Sequence, residues 1–371
     1  MKKYFFFATV LFLIGFFFSG CKQDYRLLVG GYTKPGEKGM SVFGFNKKTG
    51  NLKLISHLDV GPDPSFFCYS EEKEMIYVIN EVIEFNGSSG GGLTTLKYDH
   101  GSGLFEKKKE TLIPYGGPCY ISLSPDKGFL FIANYPKGSV AVVKLDADGI
   151  PETITDTILY VKNSPDDSKA HMILSDPAGK LIYVTDLGLD RIMIYDFDRN
   201  TGKLKQLNNG MILLPKGSGP RHFTFNADGS KMYVINELGS KMMVFNVDEK
   251  VGLNLVQTLP TFRKGFEGSN NCAEIEISKN GKFLYGSNRG ENTIVTFNIG
   301  KDGLLTLAGH ASCGGNWPRN FTIDPSGKYI LVGNQKSDRI SVFKIDKSTG
   351  LPKEPAKQFD AAAPACLEFM N

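Results

Sequence analysis

Four side chains stand out by type and spacing: His171, Arg221, Glu237 and Arg289. Each occupies a position that other copies of an internal repeat fill with small, apolar or unrelated residues, so each calls for a local reason. Arginines bind planar oxyanions bidentately and keep their charge at working pH. They suit a carboxylate, a phosphate, or the oxyanion of an ester carbonyl under attack. His171 or Glu237 can remove a proton, either from water or from a carbon beside a carbonyl. A salt-bridge ring of Arg and Glu would account for the same residues without chemistry. Arg319 shares the position of Arg221, while His222 and Glu274 follow that position by one; these three are candidate substrate contacts. No GxSxG elbow, Walker loop, GxGxxG or HExxH occurs, so serine-hydrolase, nucleotide and zincin chemistry lack their motifs.

The repeat that aligns these residues has a period of about fifty, as propeller blades do. Its clearest copy runs from Pro220 to Asp248, PRHFTFNADGSKMYVINELGSKMMVFNVD, three alternating apolar runs separated by two turns. Copies begin at Pro118, His171 and Pro318, with weaker ones near Pro64 and Cys272. A seventh is divided: Pro364–Phe369 matches the first strand of the unit, and YRLLVGGYT and SVFGFN near the N-terminus match the second and third. The expected fold is therefore all-β, a seven-bladed β-propeller whose ring closes by pairing of its N- and C-terminal strands, leaving only short sheet edges.

Within each copy a hairpin sets the start of the first strand opposite the end of the second, at one rim. The starts read Ser65, Cys119, His171, Arg221, Ala273 and Arg319; the ends read Asn80, Asn134, Asp186, Asn236, Asn288 and Asn334. That near-uniform second set points to a turn-holding amide, although Asn236 and Asn288 adjoin Glu237 and Arg289 and are kept as candidate substrate contacts. Glu81, Tyr135, Leu187, Glu237, Arg289 and Gln335 come next. First strands line a propeller's axis, so these variable positions form a ring at one mouth of the channel. His222 and Glu274, one residue along, are expected to be turned by the pleat to the opposite side of the blade.

The elements that carry this ring follow a distinct N-terminus. Lys2 and Lys3 precede an apolar run from Tyr4 to Phe18, too short for comfortable spanning of a bilayer. With Phe18-Ser19-Gly20-Cys21 it reads as a lipoprotein-type signal over residues 1–20, with lipidation at Cys21 and one propeller domain over 21–371. The expected address is outside the cytosol, lipid-anchored to a bacterial membrane on its periplasmic side or at the cell surface. Net charge is +4, with 43 basic and 39 acidic residues scattered along the chain, so no nucleic-acid partner is indicated. The five cysteines after Cys21 show no CxxC pairing and no His at metal-ligand spacing; no metal and no cofactor are expected. Three of them fall on predicted inner strands as small buried apolar groups.

On the pieces GPRHFTF with VINEL downstream, VTDLGLDR, AEIEIS followed by YGSNRG, and the closing PACLEF, the chain resembles the lactonase family of seven-bladed propellers. That family includes 6-phosphogluconolactonase and a fungal muconate-lactonising enzyme, and the resemblance spans essentially all of the chain after the signal. It implies a His, Arg, Glu, Arg site, here His171, Arg221, Glu237 and Arg289, and hydrolysis of a small-molecule sugar lactone. The family commonly shows PHxH before the DPxG turn, where this chain reads Ser168, Lys169, Ala170, His171. A non-phosphorylated aldonolactone or uronolactone would suit an exported protein. The same residues and fold leave open a muconate-type cycloisomerase, and a non-enzymatic surface propeller that binds a partner or glycan.

Overall fold

Alternation of apolar and polar side chains, broken every few residues by Asp-Gly, Ser-Gly or Asn-Gly turns, gives hairpin after hairpin. The computed structural model describes residues 24–33, 39–160, 167–248 and 252–370, arranged as seven four-stranded antiparallel sheets. The expected signal segment and Cys21 lie outside the described residues. Blades 2 to 7 are sequential; blade 5, for example, runs Pro220–Phe225, Lys231–Asn236, Lys241–Asp248 and Gly252–Pro260 from axis to periphery. Blade 1 takes its inner strand, Pro364–Met370, from the far end of the chain and lays it against Asp24–Gly31, with Leu27 opposite Phe369 and Val29 opposite Leu367. The ring closes as the divided repeat predicts.

Each blade has four strands where the repeat shows three. The outermost strand is the hidden one, because it packs on one side only and carries little apolar alternation. In Leu104–Ile113 (LFEKKKETLI) only Ile113 is buried. Blade 2 also carries a small hairpin, Glu84–Phe85 with Ser88–Ser89, inserted between its second and third strands.

Neighbouring blades are fastened by a recurrent tyrosine. Tyr77, Tyr233 and Tyr285 are fully buried on second strands, and their hydroxyls donate to the carbonyls of Gly149, Gly303 and Gly350 in the next blade. Tyr329 closes the series by donating to Lys48 of blade 1. A phenol buried among apolar side chains needs such an acceptor, and the receiving turn needs a residue at positive φ; at Gly350 a Cβ would in addition strike the Phe283 ring. Four cysteines rather than three lie on inner strands, at 68, 119, 272 and 366; these and Cys313 are free thiols.

Candidate functional site

The inner strands do not simply alternate at the mouth. In blade 5, Pro220 pairs with Asn236 and His222 with Ile235, which leaves Arg221 as the extra residue of a β-bulge. The same break isolates Cys119, His171 and Arg319, and in the closing strand Ala365. In blade 6 it isolates both Ala273 and Glu274. A bulge re-aims its unpaired side chain. The ring position is thereby turned to the mouth while the residue after it keeps its inward aim. His222 and Glu274 thus do not point away, as the pleat alone predicted. His222 touches Phe66 of blade 2 and Tyr120 of blade 3, with ring centroids 5.9 and 5.2 Å away, contacts across blades that only axial residues can make. Phe66, Tyr120 and His222 form an aromatic floor one residue below the mouth.

On this floor stand the four principal residues. Oε2 of Glu237 lies 3.1 Å from Nε of Arg221 and 2.7 Å from Nη2 of Arg289, so one carboxylate oxygen joins two guanidinium groups. Glu237 is clamped through its backbone, its N–H donating to Gly219 and its carbonyl accepting from Cys272 of the next blade. Arg221 donates Nη1 to the Ala273 carbonyl, and Arg289 donates Nε and Nη2 to the carbonyls of Asn271 and Cys272. Among the described residues, Arg221 keeps Nη2, Arg289 keeps Nη1 and Glu237 keeps Oε1 without a protein partner. The Glu237 side chain is 17% exposed and those of Arg221 and Arg289 4% and 5%, so the carboxylate is the most open of the three.

His171 packs its ring against His222 (5.1 Å) and Tyr135 (5.6 Å), and its Nδ1 is buried with no partner. Burial, then the charges of Arg221, His222 and the other arginines, holds its pKa well below the ordinary imidazole value. It is neutral at pH 7. Burial, with Arg289 and Arg319 nearby, pushes Arg221 down to about 10, which leaves it charged. Below the mouth, burial alone would raise Glu274, but contact with His222 at 3.0 Å holds it lower, and Asn320 donates to its other oxygen. His222 and Glu274 therefore lie beneath His171, His222 in ring contact with it and Glu274 in contact with His222.

The rest of the ring is distributed around this centre. Arg319 is partly exposed and its Nη2 donates to the Tyr32 hydroxyl at 2.6 Å. Trp317 lies against the Arg289 guanidinium at 5.4 Å, with the Lys336 ammonium 3.3 Å from its ring centroid. Lys169 donates to the Pro136 carbonyl beside the Tyr135 ring. Asn236 and Asn288 are fully buried and do not reach the mouth: Asn236 donates to Lys241 across the turn that carries Glu237, and Asn288 donates to Thr261 and Thr293. These are the hydrogen bonds of a turn-holding amide. Away from the mouth, a cleft of about 350 Å³ between blades 6 and 7 on the turn rim is lined by Lys279, Tyr285 and Asp346, without His, Glu or Arg.

A family model described as a seven-bladed beta-propeller lactonase matches residues 26–369. The chain belongs to this lactonase family. It is 34% identical to a 6-phosphogluconolactonase of Formosa agariphila, over 88% of this chain and 96% of that one. The periplasmic gluconolactonase of Pseudomonas aeruginosa superposes with a TM-score of 0.86 at 31% identity, covering 94% of this chain and 99% of that one. A putative 6-phosphogluconolactonase of Bacteroides fragilis gives 0.85 at 28% identity, covering 95% and 99%. One residue of this lactonase's mouth escaped the sequence: Tyr32. Setting VGGYT against VINEL puts Tyr32 in register with Glu237, but Gly31 stands where other copies carry Asn or Asp and hides the match.

Proposed function

We propose that this lactonase hydrolyses a sugar lactone at the mouth ringed by His171, Arg221, Glu237 and Arg289. The observation that carries this reading is the shared Glu237 oxygen: it fixes two guanidinium groups side by side and leaves each with a free N–H. Those two donors receive the lactone carbonyl and stabilise the oxyanion that forms on it. Glu237 Oε1 takes a proton from the attacking water. The water oxygen bonds to the carbonyl carbon, the ring C–O bond breaks, and the proton passes to the departing alkoxide, giving the open-chain acid. His171 is the poorer base here, because an imidazolium would stand among three guanidinium groups; it serves as a neutral hydrogen-bonding partner. The names of the Formosa and Pseudomonas relatives support lactone hydrolysis, and the periplasmic address of the second supports an exported protein. We infer likewise that residues 1–20 are a signal and that Cys21 carries a lipid, so that an unphosphorylated aldonolactone or a uronolactone is within reach.

The test is lactone opening by the chain starting after Cys21, followed by proton release with 6-phosphogluconolactone and with gluconolactone against the uncatalysed rate. Acceleration abolished by Arg221→Ala and by Glu237→Ala, with folding intact, supports hydrolysis. No acceleration of either lactone favours a binding propeller; lactone formation from an unsaturated diacid would favour a cycloisomerase.

A further inference from the structure

The rim opposite the mouth carries an asymmetry of charge. The hairpin turns of blades 6, 7 and 1 bring Lys279, Lys282, Lys301, Lys328, Lys347 and Lys48 to this turn rim, and all are exposed. These lysines are far apart in sequence, and the ring gathers them: the Tyr285 hydroxyl ties blade 6 to blade 7 and the Tyr329 hydroxyl ties blade 7 to blade 1. The acidic residues of the same turns answer them weakly. Asp302 is exposed, but Asp324 is buried and spends its carboxylate on its own turn, and Asp346 holds Lys353 at 2.7 Å. Lys279 meets Glu276 at 3.4 Å and keeps half its side chain in solvent. On the turns of blades 2, 3 and 5 the exposed sign is the other one, with Glu71, Glu72, Asp126, Asp148 and Asp228.

The chain enters the fold inside the basic sector. Asp24–Gly31 runs antiparallel to Pro364–Met370, with Gly31 opposite Pro364 at the mouth and Arg26 opposite Met370 at the turn rim. Asp24 pairs with Asn46, the residue before Lys47 and Lys48. Cys21, outside the described residues, precedes Asp24 by three residues, a reach of at most about 10 Å. A lipid on Cys21 therefore keeps the turn rim within about one screening length of the headgroups, where lysines are drawn to an anionic surface. The mouth stands a strand's length further off, about 25 Å. We propose that the turn rim of blades 6, 7 and 1 docks on an anionic phospholipid surface and holds the mouth facing away from the bilayer. The lipid inferred above for Cys21 supplies the tether, but the charge of the rim stands without it.

The test is lysine acetylation of the full chain, purified from membranes in detergent and reconstituted in vesicles, with each modified site read by mass spectrometry. Vesicles of phosphatidylcholine alone are compared with vesicles of phosphatidylcholine and phosphatidylglycerol in equal parts. The phosphatidylglycerol vesicles should slow acetylation of Lys282, Lys328 and Lys48 at least about fivefold, the bias of one lysine for such a surface. Lys137 and Lys241, exposed at the mouth rim, should react equally on both. Salt at about 1 M, where the screening length falls to about 3 Å, should remove the difference. The double variant Lys301→Glu with Lys347→Glu should lose most of the shielding at Lys328 with its melting temperature unchanged. Equal reactivity on both vesicles, or shielding of Lys137 and Lys241 in place of the turn lysines, would overturn the proposal. So would shielding by soluble heparin and not by the vesicles, which would give the patch to a polyanionic chain. The intact mass of the extracted chain reads the tether separately: shielding without a lipid on the chain removes the tether and leaves the docking surface standing.

Discussion

The two ends of the propeller's channel solve the same problem in opposite ways. At the mouth, Glu237 is held against Arg221 and Arg289, and ion pairing offsets the cost of removing charge from water. Toward the turn rim the inner strands bring two more carboxyls to the channel, Glu276 and Glu368, four residues along from Cys272 and Pro364. Lys279 is 3.4 Å from Glu276, and the Ile323 N–H donates to it. Burial raises Glu276 to about 7 and Glu368 to about 8, with Glu276 adding to the second shift. One end stabilises charge and the other suppresses it. The proposed hydrolysis uses the end where charge is kept, because cations already in place stabilise an oxyanion as it forms.

That contrast breaks first at Glu237. Glu237→Gln keeps the shape and the hydrogen-bonding reach but removes both the base and the charge that aligns the arginines. A loss of about 10³ in kcat is expected in the lactone-opening assay, within the range for a general base. A loss of less than tenfold would transfer the base role to His171. His171→Gln, a neutral partner for a neutral one, should cost about tenfold in kcat/KM, the worth of roughly one hydrogen bond. It should also leave no protonation step near pH 6.5 to be removed, since the wild-type imidazole is already neutral there. A kcat/KM profile with an acid limb near pH 6.5 that vanishes in His171→Gln would contradict this assignment.

The suppressed end makes the smallest prediction, one of stability. Because Glu276 and Glu368 hold protons in the folded state above the ordinary carboxylate range, folding binds protons. The stability linked to them is full below the unfolded value of about 4.3 and is lost as pH rises through about 7 to 8. Glu368→Gln removes one such group. Its melting temperature relative to wild type should therefore rise by about 2–4 °C between pH 5 and pH 8.5, measured by thermal unfolding at both values. An unchanged difference between the two pH values would mean that Glu368 ionises freely.

Much of this molecule was legible as a repeat. Turn residues and apolar alternation announce three strands per blade, and the divided copy, PACLEF at one end and YRLLVGGYT at the other, announces the closure. The fourth strand stayed silent because solvent, not a neighbouring sheet, faces most of its side chains. The mouth was legible for a related reason: a ring position tolerates almost anything, so His171, Arg221 and Arg319 stand out against Ser65, Cys119 and Ala273. What the sequence did not disclose is the bulge. Strict period-two counting turns His222 and Glu274 outward, whereas the extra residue at Arg221 lets two consecutive side chains face the axis. Tyr32 was missed because the uniform Asn that marks its neighbours is a glycine in blade 1. The uniform Asn236 and Asn288 are buried and spend their amides on backbone and hydroxyl partners around the turns.

Ring closure through Pro364–Met370 also sets an order of events. A chain emerging from its N-terminus can complete blades 2 to 7 from neighbouring segments, but the strands at Asp24–Gly31 and Met40–Asn46 must wait for the last seven residues of the sheet. That contact spans more than three hundred residues, so its loop-closure entropy falls at the end of assembly, when the blades already in place have shortened the search. Until then the inner edge of blade 1 remains open, and a truncation that removes Pro364–Met370 should arrest there, as a ring of six sheets with an unpaired edge.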